Sequence, residues 1–477
     1  MHIDRRRLLI GSGALAGAAL AGLRPSFAVS RLADGTHVLR AVETMVTLGR
    51  ANADPSPLWL YDGQVPGPAL RARQGEPFRV RLVNELPVPT SIHWHGLRVP
   101  NAMDGVAALT QPPVPPGGTF EYAFVPPDAG TYWYHSHAPS WEQVARGLSG
   151  PLIVDEPEPP FDASHDITLF LDDWRVHPDG HYDFESLGFA GDWSHAGRLG
   201  NLVTVNGRPT RNHRLRSGEA YRLRIVNAAN ARIFRLNAAD IGARIIALDG
   251  FALERPRPAP PDGLPLYPAQ RVDLLLRPQG PGRLALHDMG EDQLALLQGD
   301  ASAPLATFDV RAGEDEMASP APILALPSVP EPDGRAALRV PLIMEGGASA
   351  LQGEPVRFGP GYVDAQTLVA KRQFWAFNGT AGLSEEPLFR VERGRTVEIA
   401  IEDRTGRPHG IHVHGHHFRT GSGGLSSRPG DWRDTIALAG GDRATVAFVA
   451  DNPGRWLIHC HMLEHAASGM NAWFEVV

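Results

Sequence analysis

The stretch "RQGEPFRVRLVNEL" (73–86) is a glycine turn followed by a strand in which side chains face opposite sides in turn. "RSGEAYRLRIVNAA" (216–229) and "ERGRTVEIAIEDRT" (392–405) align with it without gaps. A second element recurs downstream of each: "DAGTYWYHSH" (128–137), "GPGRLALHDM" (280–289) and "NPGRWLIHCH" (452–461), each with a histidine five residues after a glycine. Self-similarity at this scale means three related β-domains and not a short solenoid repeat. The 43 prolines and 51 glycines, with many short V/I/L/F/Y runs between them, agree with an all-β chain of sandwiches. The joints fall in "VDEPEPPFDASHD" (154–166) and "EDEMASPAPILALPSVPEPDGRA" (314–336), so we expect domains over 29–155, 162–312 and 337–477.

At 477 residues the chain is too long for one compact domain, and its net charge of −8 leaves no basic footprint for nucleic acid. Residues 1–28 read as a targeting segment. Arg5, Arg6 and Arg7 precede an apolar run from Leu8 to Leu23, and Ser26-Phe27-Ala28 offers a small-x-small cleavage site. The arginine pair followed by Leu8-Leu9 looks like a twin-arginine export signal, an address read by the export machinery and not an anchor. The apolar run is short for a membrane span. The expectation is a mature periplasmic protein, monomeric and without a stable membrane anchor.

"WLIHCHMLEHAASGM" (456–470) holds the only cysteine, Cys460, between His459 and His461, with His465 five residues on and Met470 ten on. One cysteine excludes an internal disulfide, and this cluster carries the donors of a soft metal site. Four His-x-His pairs stand out: His93/His95, His135/His137, His412/His414 and His459/His461. On a strand, residues i and i+2 point the same way, so each pair presents two imidazoles together. In the repeat register His93 and His412 lie nine residues after Asn84 and Asp403. Leu236 stands at that position in the middle copy, which keeps only His287 and Met289 from the second element. The chemistry therefore belongs to an interface between the first and third domains, with the middle domain structural.

"HWHG" (93–96), "YHSH" (134–137), "HGIHVHGHHF" (409–418) and "HCHMLEHAASGM" (459–470) resemble the four copper motifs of three-domain multicopper oxidases, the laccase and copper-efflux oxidase group. The resemblance spans essentially the whole mature chain. It implies three cupredoxin-like Greek-key β-sandwich domains and four copper ions. By motif position, His409, Cys460, His465 and Met470 would hold the type 1 copper. His93 and His412 would hold the type 2 copper. One type 3 copper would take His95, His135 and His461, the other His137, His414 and His459. His459-Cys460-His461 would then be a covalent electron path between the two centres. The implied reaction is one-electron oxidation of a phenolic, aromatic or metal-ion reductant coupled to four-electron reduction of dioxygen to water.

Asp104, in "VPNAMDG" (99–105), matches an acidic position that family members use for hydrogen bonding and proton delivery, and an Asp-Gly pair is also a turn former. Where bacterial relatives often carry a glutamate after the last type 1 histidine, this chain has Ala466. Glu464, on the other side of His465, is no obvious substitute. His416 and His417 are read as non-ligands, and His165, His177, His181, His195 and His213 as solvated or structural. The eight methionines are scattered, with no cluster to collect cuprous ions, and "GSGGLSSRPGDWRD" (421–434) is placed near the entrance to type 1 copper. Two other readings exist. A copper-free envelope or division scaffold of the same fold would have lost ligands that are all present here. A copper nitrite reductase is normally built from two domains without a complete trinuclear set.

Overall fold

The computed structural model describes residues 30–49, 53–290, 303–313, 324, 326–348, 355–425 and 427–477; residues 1–28, expected to be a targeting segment, lie outside them. Strands dominate, with a few helices of five or six residues, and no described helix is long and apolar enough to cross a membrane. The three repeated stretches become three equivalent strands, Phe78–Asn84, Tyr221–Asn227 and Thr396–Asp403. Each runs parallel to an earlier strand of its domain, in the registers His37↔Val80, Asp166↔Arg222 and Leu338↔Val397. Each is antiparallel to a later strand, in the registers Phe78↔Phe124, Tyr221↔Leu276 and Thr396↔Val449. In every copy a second sheet faces the first, and three separate apolar cores lie between the layers.

The last residue of each repeated strand ends it in the same way. Asn84 Nδ2 donates to Val88 O (2.8 Å) and Val114 O (2.9 Å), and its Oδ1 accepts from Leu86 N (3.0 Å). Asn227 does the same with Arg232 O, Leu266 O and Ala229 N at 2.8, 2.8 and 3.1 Å. In the third domain the position is Asp403, which can only accept, and its partners are donors: Thr405 N (2.7 Å) and Gly441 N (3.2 Å). These side chains satisfy backbone groups that the ladder has just released. They also launch the loops that lead to His93, Leu236 and His412.

The middle repeat departs from simple alternation. Phe78–Asn84 alternates between core and outer face, whereas Tyr221–Asn227 is buried on both. Its outer face is covered by the first domain and the joint after it, so Arg222 and Arg224 meet buried partners instead of water. Arg222 donates to Asp166 Oδ1 (3.0 Å) and Glu156 Oε1 (2.7 Å), and Arg224 to Asp166 Oδ1 (2.7 Å) and Thr131 Oγ1 (2.8 Å). The first and third domains are clipped directly. Asn452 Nδ2 donates to Val99 O (2.9 Å) and Asn101 Nδ2 to Arg455 O (2.6 Å). Gly454 makes that contact possible: at φ +129°, a Cβ there would lie 2.4 Å from Asn101 Cγ.

Replacing Asn227 by alanine should strand two buried carbonyls and one amide. The expected cost is about 1–3 kcal/mol, read as a lower urea midpoint at an unchanged m-value. An unchanged midpoint would deny the strand-ending role.

Candidate metal centre

Strand pairing brings the motifs together two by two. His93 lies directly opposite His135 in the first domain, and His412 opposite His459 in the third. In the middle domain the same crossing pairs Leu236 with Asp288, and Asn237 there accepts from His287 N through Oδ1 (2.7 Å). That crossing carries no imidazole pair, as the repeat register predicts. Domain docking then stacks the two crossings face to face. Ring centroids of His95 and His412 are 3.9 Å apart, and those of His93 and His414 are 4.0 Å apart. The rings of His137 and His459, and of His135 and His461, meet edge-on at 5.5 and 5.3 Å.

The hydrogen bonds decide which ring nitrogens look inward. Nδ1–H of His93 donates to Asp104 O (2.8 Å), His135 to Ser136 O (3.0 Å), His412 to Asp434 O (2.9 Å) and His459 to Cys460 O (2.8 Å). His414 Nδ1–H donates to the Asp104 carboxylate at 3.0 Å. Each bond fixes the tautomer with its lone pair on Nε2. The Nε2 atoms of His93, His135, His137 and His412, and both ring nitrogens of His461, are buried without a hydrogen-bond partner. His414 Nε2 and His459 Nε2 face each other at 3.1 Å, two lone pairs that repel unless a cation lies between them. His95 is turned around: its Nε2 points at Asp434 Oδ1 (3.3 Å) and its Nδ1 is the unpartnered atom.

Donor atoms within 4.8 Å of one another group as His137–His414–His459, His93–His412–His414 and His93–His95–His135. His461 joins the last set through ring contacts with His95 (4.8 Å) and His135 (5.3 Å). Burial first, and then the neighbouring imidazoles, hold His95, His135, His137, His414 and His461 well below the usual histidine range; His459 falls to about 3. The rings are neutral at physiological pH. Their free lone pairs are what a divalent or monovalent copper ion requires.

A second cluster lies on the opposite face of the strand Gly454–Cys460. Because side chains alternate, Cys460 points into the core of the third domain while His459 and His461 point into the interdomain cavity. Cys460 Sγ lies 3.5 Å from His409 Nδ1 and 3.7 Å from His465 Nδ1, and those two nitrogens are 3.2 Å apart. The outer nitrogens are again tied. His409 Nε2 bonds Thr405 Oγ1 (2.7 Å), which donates to Asp403 Oδ1 (2.7 Å), and His465 Nε2 donates to His195 O (2.9 Å). Burial pushes the Cys460 thiol up to about 12, so it gives up its proton only to a bound soft cation. Met470 is buried in the same core and clasped by backbone bonds, Met470 N to His465 O (2.9 Å) and Cys460 N to Met470 O (3.0 Å). The donor set, with one thiol and two imidazole nitrogens converging on a single point, fits a mononuclear thiolate site.

Asp104 stands in a turn and hydrogen-bonds a ring. It caps a turn through Asp104 N to Asn101 O (3.1 Å), and its carboxylate lies between His93 and His414, wholly buried. Glu464 faces the other way, accepting from Asn230 Nδ2 (2.8 Å) and Arg198 N (3.1 Å) of the middle domain. Arg428–Trp432 line a cavity of about 630 Å3 with Phe251–Pro258, while the Trp193–His195 segment lies over the thiol cluster. His416 and His417 are buried, the first bonded to His414 O (3.2 Å), the second packed on Phe251 (ring centroids 4.2 Å). Asp434, Arg271 and Thr405 escaped the motif reading. The available signal was an arginine and an aspartate inside otherwise apolar strands, "AQRVDLLL" (269–276) and "DWRDTIAL" (431–438).

The neutral imidazoles carry a stability consequence. Their folded affinity for protons lies below that of the unfolded chain, near 6.5, so stability is complete above that pH and falls as pH drops through it. Copper-free protein should lose more than about 1.4 kcal/mol of unfolding free energy per pH unit below pH 6, the signature of more than one proton taken up on unfolding. A flat profile from pH 7 to 5 in urea titrations would contradict the neutral cluster.

Multicopper oxidase family models match residues 44–159, 165–303 and 359–477. Laccase-2 of Fomitopsis schrenkii is 30% identical over 86% of this chain and 84% of its own length. The multicopper oxidase MmcO of Mycobacterium tuberculosis is 29% identical over 98% of this chain and 95% of its own. The crystal structure of a multicopper oxidase from Pseudomonas thermotolerans superimposes with a TM-score of 0.77 at 32% identity, covering 93% of this chain and 99% of that one. With two imidazole-rich crossings stacked between its outer domains and one thiol beside them, the chain belongs to the three-domain multicopper oxidases, copper enzymes that oxidise a reducing substrate at the expense of dioxygen.

Proposed function

We propose that this oxidase works with four copper ions held by the twelve side chains that the motifs single out. His409, Cys460 and His465, with Met470 as a weak axial partner, take the type 1 ion. His93 and His412 take the type 2 ion. His95, His135 and His461 take one type 3 ion, and His137, His414 and His459 the other. When bound, copper supplies one-electron redox chemistry at the thiolate site and dioxygen reduction among the imidazoles. The observation that carries this reading is the opposite orientation of Cys460 and its two neighbours on one strand, which places adjacent residues in two separate donor clusters.

The residues around these clusters divide the remaining work. The Trp193–His195 backbone accepts from Trp375 Nε1 (2.6 Å) and His465 Nε2 (2.9 Å), so a reductant on its outer face is separated from His465 by one hydrogen bond. A small-molecule or metal-ion donor fits this arrangement. Asp104 keeps His414 in the Nε2-lone-pair form, and its Oδ1, which makes no hydrogen bond, is the atom available to hold a proton beside the cluster. The arginine-led segment 1–28 supports export through the twin-arginine machinery to the periplasm, with a monomer as the working form.

Cys460→Ser should remove the blue absorption and turnover while the fold and the copper of the imidazole cluster remain, because a hydroxyl does not replace a soft thiolate. Visible spectra, copper analysis and steady-state rates decide it; wild-type turnover in this variant would end the proposal. Asp104→Asn keeps the shape but not the proton-accepting carboxylate. Stopped-flow work should find reduction by substrate unchanged and reoxidation by dioxygen slower by about tenfold or more. Unchanged reoxidation at full copper occupancy would leave Asp104 as a turn residue.

A further inference from the structure

The middle domain holds no copper donors at its crossing, yet it sends one side chain to the wall of the imidazole cavity. Arg271 opens the strand Arg271–Leu276 and is wholly buried. Its five N–H groups all have acceptors, drawn from three domains. Nε donates to Thr131 O of the first domain (3.1 Å). Nη1 and Nη2 donate to Ala269 O (3.2 Å) and Asp249 O (2.9 Å) of the second. The same two nitrogens grip Asp434 of the third, Nη1 to Oδ1 (2.9 Å) and Nη2 to Oδ2 (2.6 Å). A guanidinium offers five donors in one fixed fork, and here every one is used. Arg433 and Asp249, 3.3 Å apart, balance the charges behind it.

The glycine of "HWHG" belongs to the same device. Gly96 sits at φ +87°, and a Cβ there would lie 2.3 Å from Arg271 Nη2 and 2.7 Å from Asp434 Oδ2. Only glycine lets the ion pair close beneath the first motif.

Asp434 then turns to the rings. Its Oδ1 also accepts from Thr435 Oγ1 (2.8 Å) and lies 3.3 Å from His95 Nε2 and 3.5 Å from His412 Nδ1. Both Asp434 oxygens are engaged by Arg271, so the carboxylate acts on the rings purely as an acceptor. His95 must therefore present a proton on Nε2, which leaves its partnerless Nδ1 as the lone pair facing the cavity. This is the reverse of the rings bonded through Nδ1.

We propose that Arg271 is a positioning residue for the trinuclear site: the fork from the copper-free middle domain locks Asp434 as an acceptor, and Asp434 locks His95 in the Nε2–H form so that Nδ1 is its metal donor. This rests on the assignment of His95 and His412 to copper made above. Arg271 touches no donor itself. It ties the docking of three domains to the tautomer of one ring.

The test starts from copper-free protein labelled with 15N-histidine, the His95 signals being assigned by their loss in His95→Gln. Wild-type His95 should carry its proton on Nε2. Asp434→Ala removes the acceptor at the Oδ1 position, so the Nε2–H form should lose its preference and an Nδ1-protonated His95 should become detectable. Arg271→Lys keeps the charge but not the fork, and after reconstitution with copper it should lose at least one ion per chain while its blue absorption per chain stays at the wild-type value. An Nδ1-protonated His95 in the wild type overturns the proposal, as does an Arg271→Lys protein with full copper and an unchanged type 2 EPR hyperfine splitting. Should Arg271→Lys fail to fold, the wild-type tautomer still decides. Should wild-type protein take up no copper, the copper assignment falls while the metal-free tautomer reads the Arg271–Asp434 lock independently.

Discussion

Side-chain alternation along one strand is the constraint on which the rest of the molecule depends. In Gly454–Cys460 and the residue that follows, period two sends Cys460 into the third domain's core and its neighbours into the interdomain cavity. Two donor clusters are thereby joined by one covalent tripeptide without any device beyond the pleat. The alternation works only if each face meets a finished set of partners. His409 and His465 complete one side, and six imidazoles from two domains complete the other.

Keeping ten imidazoles and a thiol in dry surroundings is costly, because each buried polar atom needs a partner. Each of these rings whose outer nitrogen is bonded uses a carbonyl, carboxylate or hydroxyl, and most inner nitrogens are left without one. The asymmetry aims lone pairs at points in space. Carbonyls do most of this work in the trinuclear region, which makes ring orientation a property of the backbone and of docking. The two buried carboxylates, Asp104 and Asp434, stand at His414 and His95. Burial would push Asp434 up, but Arg271 and the two histidines hold it well below the usual carboxylate range. Asp434 thus stays an acceptor across physiological pH.

Much of this was legible in the chain. The three repeated strands follow from glycine turns and alternation, and each took its place in the middle of a sheet. The His-x-His pairs were legible because strand geometry alone makes i and i+2 share a face, and the register between copies located the crossing that lacks them. Roles decided by docking were not legible. Arg222 and Arg224 look like the solvated face of an amphipathic strand, and only the cover of Thr131 in the first domain and of Glu156 and Phe161 in the joint after it buries them. Arg271 and Asp434 are 163 residues apart, and nothing local announces their pairing. The same holds for His195, whose carbonyl caps His465 from a segment with no metal-site pattern. Arg428–Trp432 of the loop 421–434 line a cavity with Phe251–Pro258, a neighbour that the loop's glycine and serine content does not announce.

The central claim is spatial: one strand feeds two copper centres from opposite faces. Anomalous diffraction at the copper edge from crystals of the reconstituted protein tests it most directly. One peak should lie among His409, Cys460 and His465, and three should lie among the eight imidazoles between the first and third domains. Peaks confined to a single cluster, or placed outside both, would contradict it.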